Sequence, residues 1–386
     1  MAGHQYNIAL SILFVSYVSW EIPSNLLLKN IRPSIYLPCI VMVWGVVTTC
    51  TGVAQSFGGL VACRLILGFA EAGLFPGCLF YLTTWYPRHQ FLFRFSIFFA
   101  ASTLAGAFGG LLAAGISNMN GVAGQAGWRW IFILEGILTV LIGLLGLFVM
   151  CDGPTEASFL SAEEKEELQL ALEKDAQGAK EVPFNWAEVR AAFMDWKVWV
   201  SAVVCIGVAL PTFSFALFLP TIIRSLGFQN VVAQLLTVPQ YAAAFLFTIG
   251  VGWHSDVKRI RAPYLVIFNA LAMLGYILLL AYISTGVSYF ATFLTAIGLF
   301  TSSALNMTWL ANNLFPSTKR AAGSAMQVAV GQLGGIAGAY IYLDGPRFFL
   351  GHGMSLGFLV MATLATCLQW FLLHRLNNRG GFQYTC

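Results

Sequence analysis

Eleven apolar runs, each roughly 20 residues long, leave this chain one class of fold. They lie at roughly 5–28, 35–56, 58–84, 93–116 and 128–150, and, after a polar interval, at roughly 198–219, 234–253, 263–283, 287–310, 322–343 and 354–373. A hydrocarbon core ~30 Å thick takes about 20 residues of helix to cross. Inside it every backbone N–H and C=O needs an internal partner, which a helix supplies. The runs are continuous rather than alternating, so a transmembrane barrel is excluded. The expected fold is an all-α membrane protein with eleven transmembrane helices, five and then six, in two pseudo-symmetric halves. Composition agrees: only 9% of the 386 residues are Asp, Glu, Lys or Arg, against about 25% in a soluble domain. A water-soluble globule of this chain would have no polar coat. With 58% apolar residues it is equally far from a disordered chain. No cleavable leader stands out, because the first run is too long for one and contains Glu21 and Pro23.

Charge divides the chain. Eleven of the sixteen acids fall between Asp152 and Lys197; the other five are Glu21, Glu71, Glu135, Asp256 and Asp344. The expected organisation is a first helical half over 1–151, a cytoplasmic linker with short surface helices over 152–197, and a second helical half with its tail over 198–386. Of the twenty Lys and Arg residues, sixteen fall on one side when the connections are numbered alternately, among them Lys29, Arg88, Lys180, Lys258 and Arg379. Arg129, Arg224 and Arg347 fall on the other side, and Arg64 lies inside a run. Basic residues accumulate on the cytoplasmic side. The linker and the C-terminus are therefore expected in the cytoplasm and the N-terminus outside. The net charge of +4 reflects these connections and is not a nucleic-acid footprint.

In the linker, Ser161-Ala-Glu-Glu164 has the capping-box spacing, and Asn185-Trp-Ala-Glu188 is a second candidate. The plain reading of the segment is a solvated linker; the other is a docking platform for a regulator. The eight cysteines contain no C-x-x-C and the five histidines no H-x-x-x-H, so neither a metal knuckle nor a redox pair is suggested. There is no phosphate-binding Gly-rich loop for ATP. Enzyme chemistry has no constellation in its favour. Small residues recur at four-residue spacing: Gly68, Ala72 and Pro76; Ala105, Gly109 and Ala113; Gly331, Gly335 and Ala339. Such stripes let helices approach closely in lipid, either as static packing or as surfaces that slide.

Ionisable side chains at bilayer depth are costly and point to function. Arg64 and Glu71 are seven residues apart, nearly two turns, so they share a face about 10 Å apart along the axis. Desolvation favours the neutral acid at Glu71 and a nearby cation favours the carboxylate. That balance lets its protonation change during a transport cycle. Glu21, followed by Pro23 and Asn25, is expected to hydrogen-bond helix ends or a basic loop, and Glu135, six residues after Arg129, to pair inside the bundle. The second half has no central charge but many polar side chains, including Thr212, Ser214, Gln240, Tyr241, Ser302, Ser303, Asn306, Trp309, Asn312, Gln327 and Gln332. A charged first half facing a hydrogen-bonding second half suits a small polar organic solute.

These residues carry a resemblance. The two blocks and acidic central loop resemble the major facilitator superfamily, and Gly252-Trp-His-Ser-Asp256, followed by Lys258, Arg259 and Arg261, resembles its G-x-x-x-D-x-x-x-R loop. Asn25 through Lys29 and Arg32 resembles a degenerate copy of the same loop in the first half. More narrowly, the chain is similar to the anion:cation symporter group and its fungal allantoate permease branch. The matching stretches are Gln5-Tyr-Asn-Ile-Ala-Leu, Phe14 through Asn25, Arg64 through Ala72 with Pro76-Gly77, Gly127 through Gly136, and Thr318 through Gln327. Gln332 stands where that branch usually shows Asn. The resemblance implies a major facilitator-type helical bundle that takes up a small organic anion such as nicotinate, pantothenate or allantoate, with protons as coupling ion and no other cofactor. Glu71 stands in the place of a proton-coupling Glu, with Arg64 beside it. Substrate would meet Arg64, Tyr17, Asn306, Trp309, Gln327 and Gln332. Glu21, Asn25, Arg129, Glu135, Asp256 and Arg261 would hold or move the helices. The expected state is a monomer in the plasma membrane. Family members have twelve helices and the match begins at the second, so the alternative reading is a non-transporting sensor or an inactive truncated relative.

Overall fold

The computed structural model describes residues 3–117, 119–175, 185–228, 230–338, 340–342, 347–378 and 384–385. Lys180, Glu181, Ala339, Asp344, Arg379 and Cys386 lie outside the described residues, as do the side chains of Gln5, Lys29, Arg88 and Ala113. Among the described residues there are fifteen α-helices and no strand. They are α1 (Gly3–Asn30), α2 (Pro33–Val53), α3 (Phe57–Glu71), α4 (Leu74–Trp85), α5 (Arg88–Ser117), α6 (Gly127–Val149), α7 (Ala162–Asp175), α8 (Trp186–Met194), α9 (Trp196–Ser225), α10 (Asn230–Leu235), α11 (Val238–Lys258), α12 (Ala262–Ala281), α13 (Thr285–Asn312), α14 (Ser317–Gly338) and α15 (Phe349–Asn377).

Among the described residues eight helical stretches are long and apolar enough to cross a membrane: Pro33–Val53, Phe57–Trp85, Gly127–Val149, Trp196–Ser225, Val232–Lys258, Ala262–Ala281, Thr285–Asn312 and Phe349–Asn377. The other three runs of the sequence reading fall on α1, α5 and α14, the last run outlasting α14, which ends at Gly338, and α1 holds the shorter apolar stretch Ile12–Leu28. Several helices, α3, α9 and α13 among them, begin where a short polar side chain satisfies a free N–H group. Ser56 Oγ accepts from Gly59 N at 3.1 Å, Asp195 Oδ1 from Lys197 N at 2.9 Å, and Ser284 Oγ from Val287 N at 3.3 Å. In the linker, Glu164 N donates to Ser161 Oγ at 3.2 Å and Ser161 N to Glu164 Oε2 at 2.8 Å, the two reciprocal bonds of a capping box. At α8 Asn185 Oδ1 accepts from Ala187 N at 2.9 Å, a single cap bond.

The chain forms two compact units. Unit 1 comprises 1–87, 112–192 and 315–329. Its α2 and α6 touch through glycines: a Cβ on Gly45 would lie 2.7 Å from the carbonyl oxygen of Gly136. On its other side α6 leaves Leu138, Leu141, Ile142, Leu145 and Phe148 exposed, Phe148 by 88%. A row of large apolar side chains of this length is a surface for hydrocarbon, not for water. The linker helix α8 is not simply solvated: Val189 and Ala192 are buried against Leu26 of α1 and Ala322 of α14.

Unit 2 comprises 88–111, 193–314 and 330–386. It is built on α13, whose residues from Thr295 to Asn312 are buried except Met307. Here α13 packs against α9, α11 and α12, and α15 against α9 and α12. The small-residue stripes have unlike roles. In unit 1 Gly68 and Ala72 are buried, and in unit 2 a Cβ on Gly331 would come within 2.6 Å of Cys205 Sγ. A Cβ on Gly109 would meet nothing within 4 Å.

Candidate functional site

Pro76 shapes the first half of the site. Lacking an N–H, it cannot bond the carbonyl four residues before it, and its ring crowds that turn. The helix accordingly breaks at Ala72–Gly73, between α3 and α4. Glu71 is the last residue of α3, half buried, immediately before this break. Backbone groups freed at a helix break can be tolerated at membrane depth only where protein or water meets them. Two turns earlier on α3, Arg64 is also half buried, with its guanidinium carbon 5.7 Å from the centre of the Phe132 ring. Arg64 and Glu71 form no direct ion pair, yet Arg64 is near enough to act on Glu71 electrostatically.

Helix α3 is held against α1 by close backbone approach. A Cβ on Gly68 would lie 2.1 Å from Ser16 Oγ and 2.3 Å from the carbonyl oxygen of Leu13. Tyr17, next along α1, is buried at this contact. Further down, Ser24 and Tyr36 hydroxyls are 2.6 Å apart, and Asn25 Nδ2 donates to the carbonyl oxygen of Ala321 at 2.6 Å, tying α1 to the start of α14. Glu21, one turn before Asn25, is completely buried. Gln327, six residues past Ala321 in unit 1, is also completely buried.

The G-x-x-x-D segment of unit 2 works by the same geometry. Gly252 and Asp256 are four residues apart, hence on one face of α11. A Cβ on Gly252 would lie 2.3 Å from Ser96 Oγ, so α11 meets α5 there. One turn on, Asp256 Oδ2 accepts the backbone N–H of Phe93 at 2.7 Å, and its other oxygen pairs with Arg261 Nη2. Arg261 Nη1 donates to Ser255 Oγ at 2.7 Å, and its side chain is 1% exposed. A backbone N–H and a buried arginine on the same carboxylate each add a charge-assisted hydrogen bond.

The other polar residues of unit 2 are mostly satisfied internally. Thr212 donates to Val208 O at 2.7 Å and Ser303 to Leu299 O at 2.9 Å, each within its own helix. Asn306 bonds across to α9, accepting from Ser201 Oγ at 3.2 Å. Trp309 Nε1 donates to the carbonyl oxygen of Thr385 at 2.8 Å. Asn313 completes that dock: its Oδ1 accepts from Thr385 N at 2.8 Å and its Nδ2 donates to Thr385 O at 3.0 Å. Asn377 holds Tyr384 in the same two-sided way, and Lys197 Nζ lies 4.6 Å over the Tyr384 ring. Nothing in the local sequence of Tyr384-Thr385 signals this dock. Gln332 is half buried in the same unit. The residues expected to meet substrate thus divide, with Tyr17, Arg64 and Gln327 in unit 1 and Asn306, Trp309 and Gln332 in unit 2.

Arg129 and Glu135 do not pair. Arg129 Nη2 donates to the carbonyl oxygen of Ala54, just past the C-terminus of α2, and Nη1 to Gln125 Oε1, at 3.2 and 3.1 Å. A cation at a helix C-terminus complements the helix dipole. Glu135 lies half buried on α6. Among the described residues no three His, Cys, Asp or Glu side chains converge as a metal site requires.

Known proteins agree with this architecture. The model of the Major Facilitator Superfamily matches residues 1–339. An uncharacterized transporter of Schizosaccharomyces pombe is 37% identical over 98% of this chain and 76% of its own length. The MFS-type transporter cnsO of Penicillium expansum is 37% identical over 99% and 77%. The high-affinity nicotinic acid transporter of Saccharomyces cerevisiae is 31% identical over 98% and 71%. Among solved structures, the proton:xylose symporter XylE superposes with a TM-score of 0.65 at 17% identity, over 96% of this chain and 87% of that one. At that identity the likeness is one of fold. Family model, relatives and fold agree that this chain is a multi-pass integral membrane protein of the Major Facilitator Superfamily, a transporter and not an enzyme.

Proposed function

We propose that the protein is a proton-coupled symporter of a small organic carboxylate, of the nicotinate, pantothenate or allantoate class. The observation that carries the reading is the placement of Arg64 and Glu71: one face of one helix, both half buried, with no direct ion pair between them, at a helix break made by Pro76. Arg64 would attract the carboxylate of the solute. Glu71 would bind the proton that travels with it. The similarity to a nicotinic acid transporter supports the solute class. In this reading eleven helices cross the membrane in halves of 1–151 and 198–386, joined by a cytoplasmic linker, and the protein works as a monomer in the plasma membrane. The halves alternate access to a site near the bilayer midplane.

The energetics set what such a carrier achieves. A proton moving inward gains ~1.4 kcal/mol per pH unit and ~2.3 kcal/mol per 100 mV. With a monoanion and one proton the voltage contributions cancel, and one pH unit sustains about tenfold accumulation. The test is uptake of radiolabelled nicotinate, pantothenate and allantoate into vesicles across imposed pH gradients. Accumulation of one of them that follows the gradient and is insensitive to voltage supports the proposal. Absence of pH-driven accumulation for all three overturns it.

A further inference from the structure

Glu21 is 0% exposed, and neither of its carboxylate oxygens has a hydrogen-bond partner. Its surroundings follow from its neighbours in register. Gly68 of α3 abuts Ser16 before it, and Gly73 abuts Ser24 after it. Asn25, one turn on, bonds Ala321 of α14. Glu21 therefore lies in the stretch of α1 held between α3 and the first turns of α14.

Unit 2 carries a counterpart of this crossing, and the comparison shows what is unusual. Gly252 precedes Asp256 by four residues, as Glu21 precedes Asn25. Asp256 reaches the start of α5 as Asn25 reaches the start of α14. Where unit 2 places a glycine against Ser96, unit 1 places a carboxylic acid. The first turns of α14 carry small buried residues: Ala321, Ala322 and Ala325 are each 0% exposed. Two more polar atoms here lack partners, Asn25 Oδ1 and the hydroxyl of Ser324.

The charges nearby do not neutralise it. On α3 the ionisable groups are Cys63, Arg64, set over the Phe132 ring, and Glu71. On α2 they are Tyr36, bonded to Ser24, with Cys39 and Cys50, and on α4 they are Cys78 and Tyr81, the latter donating to Cys151 O. Lys319 and Arg320 stand in the first turn of α14, and Glu188 and Arg190 flank the buried face of α8. None bonds either oxygen of Glu21. An ionised carboxylate without a partner cannot be kept at such a crossing, whereas the neutral acid can.

We infer that Glu21 is a second proton-carrying carboxyl of this protein, distinct from Glu71, protonated while α1 lies against α14 and ionised only when that contact opens. Opening breaks the carboxyl O–H bond and passes the proton to water entering the crossing; closing takes a proton back. Its part in transport rests on the symporter reading, but its protonation does not. Glu21 then makes the α1–α14 contact sensitive to pH on the side where the crossing opens.

The test is infrared spectroscopy of the full chain in lipid vesicles. At neutral pH the wild type should show a protonated-carboxyl C=O band that Glu21→Gln removes and Glu71→Gln leaves. Glu21→Asp should keep a shifted band, which separates loss of the acid from loss of packing. In alkali the wild type should lose the band, and amides around Asn25 should exchange hydrogen faster than those of Glu21→Gln at the same pH. A band unchanged by Glu21→Gln, or equal exchange in the two proteins, overturns the inference. These readouts need no solute. If they succeed while nicotinate, pantothenate and allantoate uptake all fail, only the symporter reading falls.

Discussion

Asp256 accepts the backbone N–H of Phe93 at 2.7 Å while its other oxygen holds Arg261, so one carboxylate joins the end of α11 to the start of α5. Arg261 is nearly inaccessible, at 1% side-chain exposure. Removing one partner of a buried pair strands the other and costs about 3–5 kcal/mol. Asp256→Ala should therefore lower the thermal unfolding midpoint sharply. The double variant Asp256→Ala with Arg261→Met should recover much of that loss. Melting of the purified protein in detergent checks both, and additive losses would show that the two side chains do not act as a pair.

Two glycines should respond in opposite ways. A Cβ on Gly68 would sit 2.1 Å from Ser16 Oγ and 2.3 Å from a backbone oxygen, so Gly68→Ala forces α1 and α3 apart. Overpacking of this kind costs about 1–3 kcal/mol. Gly109, inside α5, has nothing within 4 Å of its added Cβ. Gly109→Ala should be neutral or stabilise by up to about 1 kcal/mol, through helix propensity alone. Unfolding midpoints of the two variants measure the contrast.

Glu71→Gln should abolish pH-driven accumulation while leaving binding of the solute. The amide keeps the shape and cannot carry the proton. With one proton per monoanion the loss is about tenfold per pH unit of imposed gradient. Counterflow exchange of labelled for unlabelled solute should survive, since it needs no net proton movement. A Gln variant that still concentrates solute along a pH gradient would show that the proton goes elsewhere.

The tail dock is testable apart from transport. Asn313 makes two of the bonds that hold Thr385, and each neutral hydrogen bond is worth about 0.5–1.5 kcal/mol. Asn313→Ala should raise hydrogen exchange at the Thr385 amide by roughly tenfold. Trp309 fluorescence should shift as its Nε1 loses the Thr385 carbonyl. Mass-spectrometric exchange of the C-terminal peptide is the measurement.

What could be read along the chain was whatever repeats or acts over a few residues. The apolar runs became helices because lipid removes every alternative for the backbone. Ser161 and Glu164 made their capping box because both partners lie within one turn. Arg64 and Glu71 share a face because the helical period requires it. The resemblance to a transporter family, carried by short motifs, was matched by the family model across residues 1–339.

Partners distant in sequence were another matter. Asn306 and Trp309 looked available to a solute, yet Asn306 meets Ser201 and Trp309 meets Thr385, separated by 105 and 76 residues. The linker helix α8 looked solvated from its charges, but its apolar face found Leu26 and Ala322. Arg129 finds its acceptor at the end of α2, the carbonyl oxygen of Ala54, 75 residues away in sequence.

By itself, then, the sequence determined that this protein lives in a bilayer, which segments are helical and where a carboxylate enters the apolar phase, because hydration and backbone hydrogen bonding are local demands. Tertiary structure alone decided which buried polar groups are answered. Asp256 gained an amide and an arginine, while Glu21 was enclosed with neither, because a partner depends on which helices cross and at what register.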